Sequence, residues 1–232
     1  MRKISFIGCY DKIDLILYVA KILVAMDKKV LVVDSTINQK AKYIVPVIKP
    51  TKAYVTEFEQ IDVAVGFDDF NEIKEFMGIP ELQELPYDIV LLDIDSYKGI
   101  VNFGVNNDDR NYFVTGFDLY TLKRGLEILS GLTEILNLTK IIFSKTASRE
   151  DNDYLNYLSL GYKIVWSDEL IYFPFEVGDA SVIAENQRVA KIKFKKLSAQ
   201  YKEALIYIVE QILNQDEYAK MKKIFKQLEK GV

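Results

Sequence analysis

No histidine occurs among the 232 residues. That removes the commonest general base, the Ser/His and Cys/His nucleophile pairs and any zinc site built on imidazole. Cysteine is nearly absent as well. Cys9 stands alone, so the chain has no internal disulfide and no cysteine-built structural zinc site, and nothing in it argues for secretion. Positive charge is not in excess either. The 30 Lys and Arg face 34 Asp and Glu, a net charge of -4, the opposite of the balance expected in a general nucleic-acid binder. Long apolar runs are missing too. The longest, Ile13 to Met26, is broken by Asp14 and Lys21 and is too short to span a bilayer. The opening Met-Arg-Lys leads straight into a short apolar strand, without the longer apolar core and small-residue cleavage site of a signal peptide. The expectation is a cytoplasmic globular protein long enough to bury a sizeable core.

What is present is an alternation of short apolar runs and helical patterns. Ile4–Ile7 reads as a strand buried on both faces, and Asp11–Met26 as a helix apolar almost all round, with Asp11 as its N-cap. Lys29–Asp34 (KVLVVD) is a second buried strand, so the first 34 residues form a βαβ unit with parallel strands. Further strands are predicted at Asp62–Val65, Asp88–Asp93 (DIVLLD), Tyr112–Thr115, Lys140–Ser144 and Lys163–Trp166. Helices are predicted at Phe70–Met77, Asp118–Leu129, Glu150–Leu158, Leu197–Leu213 and Glu217–Lys230. Pro46 and Pro50 interrupt the stretch Gln39–Glu59, where Tyr54–Phe58 suits an edge strand, and Asn102–Asn111 reads as a polar loop or tight hairpin turn. The pattern is that of a doubly wound, mostly parallel α/β sheet.

Ligands of such sheets sit beyond the carboxyl ends of the strands. Three ends matter here: Ile7–Asp14 (IGCYDKID), Val33–Thr36 (VDST) and Leu92–Ser96 (LDIDS). Read on their own terms, Asp11 and Asp14 are acids capping a helix, and Asp93 is an acid ending a buried strand. Together with the segment FVTGFDLYTLKRGLEIL, these three ends resemble the nucleotide site of the MinD/ParA family of P-loop ATPases.

In that family the first loop reads K-G-G-x-G-K-T-T. Aligned on it, Ile7 takes the place of the lysine that reaches across the dimer, Gly8 matches the first glycine, and Cys9 and Asp11 replace later glycines. Lys12 matches the phosphate-binding lysine, Ile13 replaces the magnesium-binding hydroxyl and Asp14 the second threonine. Asp34 keeps the first acid of a D-x-D pair whose second is Thr36. Asp93 matches the acid that holds hydrated magnesium. Ser144 stands where an adenine-contacting asparagine is expected, and Pro174 resembles the proline near the adenine.

The resemblance implies a three-layer P-loop NTPase fold over residues 1–214. It marks Gly8, Asp11, Lys12, Ile13, Asp34, Asp93, Ser144 and Pro174 as nucleotide positions, with Asp93 as the one candidate metal contact. The substitutions weigh against ATP and magnesium, because a Cβ and a negative charge at Asp11 stand where backbone N–H groups would curl around phosphates. No catalytic residue is assigned.

Residues 215–232 form either part of the same domain or an appendage. In the helix Glu217–Lys230, Met221, Ile224, Phe225 and Leu228 make one apolar stripe among lysines, suited to an anionic membrane or to packing on the domain. The cluster Lys191–Lys196 (KIKFKK) reads as a solvated helix face or edge strand rather than a contact for nucleic acid. Three functions follow from the resemblance. The first is a catalytically dead relative that acts as a scaffold or positioning factor through protein contacts and a homodimer, akin to the TadZ/CpaE localisation proteins of pilus and secretion systems. The second is a divergent ATPase that uses Lys12 and Asp93. The third is a membrane-surface adaptor.

Overall fold

The structure, a computed structural model, describes residues 1–48, 51–116, 118–144, 149–174 and 177–231. Pro50, Phe117 of the segment FVTGFDLYTLKRGLEIL, and Val232, which enter the sequence reading, lie outside the described residues. Strands and helices alternate along the chain. β1 (Arg2–Ile7), α1 (Ile13–Ala25) and β2 (Val30–Asp34) form the opening βαβ unit. There follow α2 (Ala41–Ile44), β3 (Tyr54–Phe58), β4 (Ile61–Val65), α3 (Phe70–Met77), β5 (Ile89–Ile94), α4 (Tyr97–Asn102), β6 (Arg110–Thr115) and α5 (Leu119–Leu129). The chain continues through β7 (Leu136–Ser144), α6 (Arg149–Leu158), β8 (Ile164–Pro174), α7 (Val177–Arg188), α8 (Ala199–Ile212) and α9 (Tyr218–Lys230).

The eight strands make one sheet in the order β3-β4-β2-β5-β1-β6-β7-β8. Every pairing is parallel except β3 with β4, an antiparallel hairpin. Apolar runs without polar alternation are what a sheet covered on both faces requires. Along β2, Val30 and Val32 enter one core with α1, α8 and α9, while Leu31 and Val33 enter the opposite core with α3, α4 and α5. The result is three layers, helices on both sides of the sheet.

Several expectations need correction. The strands placed at Lys140–Ser144 and Lys163–Trp166 are longer, nine and eleven residues, because each pairs across a register shift between Leu138 and Lys140. Of the two readings of Asn102–Asn111 the polar loop holds and the hairpin turn does not: the segment runs from the end of α4 into β6, which pairs parallel with β1 and β7. The cluster Lys191–Lys196 is neither helix nor strand but the connection from α7 to α8, and Phe194 within it is buried against Tyr18 and Phe225. Asp11 does not cap α1. The N-cap is Lys12 and has no side-chain cap bond, while Asp11 pairs with Lys40. Asp14 is in the first turn, yet its carboxylate faces α7, where it accepts from Gln187.

The last helix uses its apolar stripe in packing. Met221 and Phe225 are buried in the same core as α1 and α8, and Ile224 and Leu228 pack against it. Burying side chains of this size contributes about 1.5–3 kcal/mol each. The surrounding lysines lie outside, two of them paired: Lys220 with Asp27 and Lys222 with Glu210. Among the described residues, no helix is long and apolar enough to cross a membrane.

Candidate functional site

The carboxyl ends of β1, β2 and β5 lie side by side, with Ile7 in register with Ile94, and Asp34 with Asp93. The three motif ends therefore meet at one place. The loop from Gly8 to Lys12 leaves β1 through Gly8, whose φ is +140°. A Cβ there would lie 2.2 Å from the Val114 carbonyl oxygen of β6. Glycine is required here by the close approach of β6, whatever binds in the loop.

Lys12 is buried. Its Nζ lies 2.7 Å from Asp93 Oδ1 and donates to the Gly8 carbonyl at 2.7 Å. The lysine that would hold phosphate and the acid that would hold hydrated magnesium thus neutralise each other. Burial drives the Asp93 carboxyl up to about 7, and the nearby carboxylates of Asp34 and Asp11 push the same way, while the Lys12 ammonium pulls it back. Asp34 is also occupied. One of its oxygens accepts from the Thr36 N–H and hydroxyl, and the other from Ala41 N at 2.8 Å. Its partner Thr36 is part of that turn and accepts from Gln39 N. Asp95, two residues beyond Asp93, accepts from Ile37 N at 2.9 Å, and burial raises its carboxyl above the ordinary range.

The cavity bounded by Gly8, Cys9, Lys12, Thr36, Asp93 and Asp95 measures about 150 Å³. Small-molecule pockets usually offer roughly 300–1,000 Å³. Ile13, at the position of the magnesium hydroxyl, is fully buried in the core and has no donor oxygen. Among the described residues, no group of three or more Asp, Glu or Cys side chains is placed to hold a metal ion. The residues present do not fit a magnesium–triphosphate. Cys9 is no reactive thiolate: burial raises its thiol, and Sγ lies 3.4 Å from the Thr121 carbonyl oxygen.

Ser144 and Pro174 are brought together, in register at the ends of β7 and β8, where both line an open cleft with Tyr172 and Tyr207. They do not line the phosphate-loop cavity. Asp14 is likewise turned away from it, into a neighbouring cavity. Residues missed in the sequence are Tyr10, Asn38, Lys40 and Tyr120, which with Asp11 complete the wall of the phosphate-loop cavity. Nothing local announces them. Asp95 was visible in the run LDIDS.

No protein-family model and no curated protein sequence matches the chain. Solved structures do. A chain of the MinC:MinD cell division protein complex of Aquifex aeolicus is similar with a TM-score of 0.58 at 14% identity, over 91% of this chain and 96% of that one. The MinD cell division protein of Aquifex aeolicus is similar with a TM-score of 0.57 at 12% identity, over 91% and 96%. A ParA family ATPase from Chlorobium tepidum TLS gives 0.52 at 14% identity, over 98% and 97%. The likeness runs through nearly the whole of each chain, and this protein has the MinD/ParA form of the P-loop NTPase fold.

Proposed function

We propose that this chain is a non-hydrolysing protein of the MinD/ParA fold that works as a scaffold or positioning factor through protein–protein contacts. The observation that carries the reading is the buried Lys12–Asp93 pair, in which the two charges most needed for magnesium–triphosphate are spent on each other. Breaking a buried ion pair leaves an uncompensated charge and costs several kcal/mol, so a ligand must supply at least that much to enter. The substitutions at Asp11 and Ile13 remove what would supply it. One of the similar structures is a MinC:MinD complex, and an assembly role built on protein contacts is the part of that plan we extend to this chain. A homodimer and a place in pilus or secretion assembly are part of the same proposal. An exposed apolar groove supports protein contact: Leu119 and Tyr120 of α5, 56% and 71% exposed, line it with Leu158 and Tyr162.

Sedimentation velocity and steady-state ATP turnover test this together. The expected result is self-association that is the same with and without magnesium–ATP, and no turnover above background. A strict monomer at high concentration, or turnover abolished by Asp93→Asn, would overturn it.

A further inference from the structure

Beside the phosphate-loop cavity lies another, of about 280 Å³, between the start of α1, the ends of β7 and β8, and α7. Its chemistry is different. Tyr10, Phe143 and Tyr201 form aromatic walls, and Asp11, Asp14 and Asp179 line it with carboxylates. No Lys or Arg lines it among the described residues. The walls hold one another in place. Tyr10 stacks on Phe143 with centroids 4.5 Å apart, Phe143 stacks on Phe173 at 5.0 Å, and Phe173 meets Tyr201 edge-on at 4.9 Å.

The three acids are not equivalent. Asp179 accepts from Ser198 N and Ser198 Oγ, both at 2.7 Å, so both of its oxygens are engaged. Asp11 reaches out to Lys40. Among the described residues Asp14 has no cationic partner within bonding distance; its two oxygens share the one amide nitrogen of Gln187, each at 2.9 Å. A carboxylate offers about four acceptor positions, so Asp14 keeps capacity that a neutral amide does not fill. Burial pushes its carboxyl up to about 6, Asp11 adds to that, and Gln187 and Lys40 oppose it. An arriving cation would relieve this.

We propose that this cavity binds an organic cation, an alkylammonium or guanidinium group, with Asp14 as counter-ion and the rings of Tyr10 and Tyr201 as walls, Phe143 being stacked between Tyr10 and Phe173 and holding Tyr10 in place. Aromatic faces attract cations through the ring quadrupole, and a charge-assisted bond to a carboxylate is about twice as strong as a neutral one. Anions are refused by three carboxylates. The volume suits one cationic head with a short alkyl stem. The same chemistry comes from two sources, a Lys or Arg side chain of a partner protein and a free small amine. The inference goes beyond the scaffold reading and does not depend on it.

The test is calorimetric titration of the full chain with n-butylammonium and methylguanidinium, with n-butanol as neutral control, at about pH 8 and about pH 5. The groups facing Asp14 are Asp11 and Tyr10 in the loop, Tyr18 on α1, Lys40 before α2, Asp179 on α7 and Tyr201 on α8. Burial raises all three tyrosines, Tyr10 and Tyr18 to about 12, so none titrates in this window. Asp93 does titrate there but lines the other cavity.

The expected result is saturable binding of both cations at the higher pH and none of butanol. Asp14→Asn should weaken binding about tenfold, and so should the lower pH on the unaltered chain. The pH comparison keeps the test decisive if the substituted chain fails to fold. A blocked tripeptide with central arginine that binds tighter than methylguanidinium assigns the site to a partner's side chain; one that binds no tighter assigns it to a free amine. Absence of saturable binding, equal binding by the Asp14→Asn protein, or adenosine binding there in preference to the cations would overturn the proposal. None of these outcomes bears on ATP turnover or self-association.

Discussion

The two adjoining cavities at the carboxyl end of the sheet share the loop residues Tyr10 and Asp11 but treat charge in opposite ways. At the phosphate-loop cavity Lys12 is paired with Asp93 and Asp11 with Lys40, while Asp34 and Asp95 accept from several N–H groups of the turn Thr36–Ala41. In the aromatic cavity the partly buried Asp14 accepts from a neutral amide and has no ion-pair partner among the described residues. Charges matched to one another hold a fold together, whereas a buried charge without a counter-ion is costly and is kept where something else can match it. On the two proposals made above, the difference separates a site turned into structure from one open to a ligand.

Removing Lys12 should have the largest effect. Lys12→Met leaves Asp93 buried alone and should cost about 3–5 kcal/mol in guanidinium denaturation near neutral pH. Because the orphaned carboxyl can take up a proton, the loss should shrink as the pH falls. A loss under about 1 kcal/mol at all pH values would mean that the pair is not a structural element.

Asp14→Asn should act in the opposite direction. An acid whose folded pKa is raised holds its proton more tightly in the folded state, so its burial destabilises above that pKa and costs nothing below the unfolded value. For a shift from 3.8 to about 6, the substituted chain should gain up to about 3 kcal/mol near pH 8. The gain should fade toward pH 4. A melting profile that shows a loss at pH 8 would break the contrast between the cavities.

Thr36→Ala removes the hydroxyl that donates to Asp34 and accepts from Gln39 N. It should cost about 1–2 kcal/mol by denaturant titration. Lys40→Ala breaks a pair in which both side chains are about half exposed. That change should cost less than about 1 kcal/mol, and added salt should erase most of it.

The fold was largely legible because its central strands are continuous apolar runs bounded by charge, as in KVLVVD and DIVLLD, which only a sheet covered on both faces explains. The elements that escaped carry weak local signals. α4 is six residues long with Gly99 inside it, and α7 lines the aromatic cavity with the small residues Ala180 and Ala184, which give little apolar contrast. The gathering of Gly8, Lys12, Asp34 and Asp93 was legible because their strands end in parallel register. Their pairing was not. The roles of Asp11 and Asp14 were misread as capping because their partners, Lys40 and Gln187, lie 29 and 173 residues away. Only packing brings such partners together.

On the proposed reading the Lys12–Asp93 pair closes the phosphate loop to nucleotide. Calorimetric titration of the full chain with ATP and magnesium tests it most directly. No heat of binding is expected up to millimolar nucleotide. Micromolar binding that requires magnesium and is lost in Lys12→Met would contradict it.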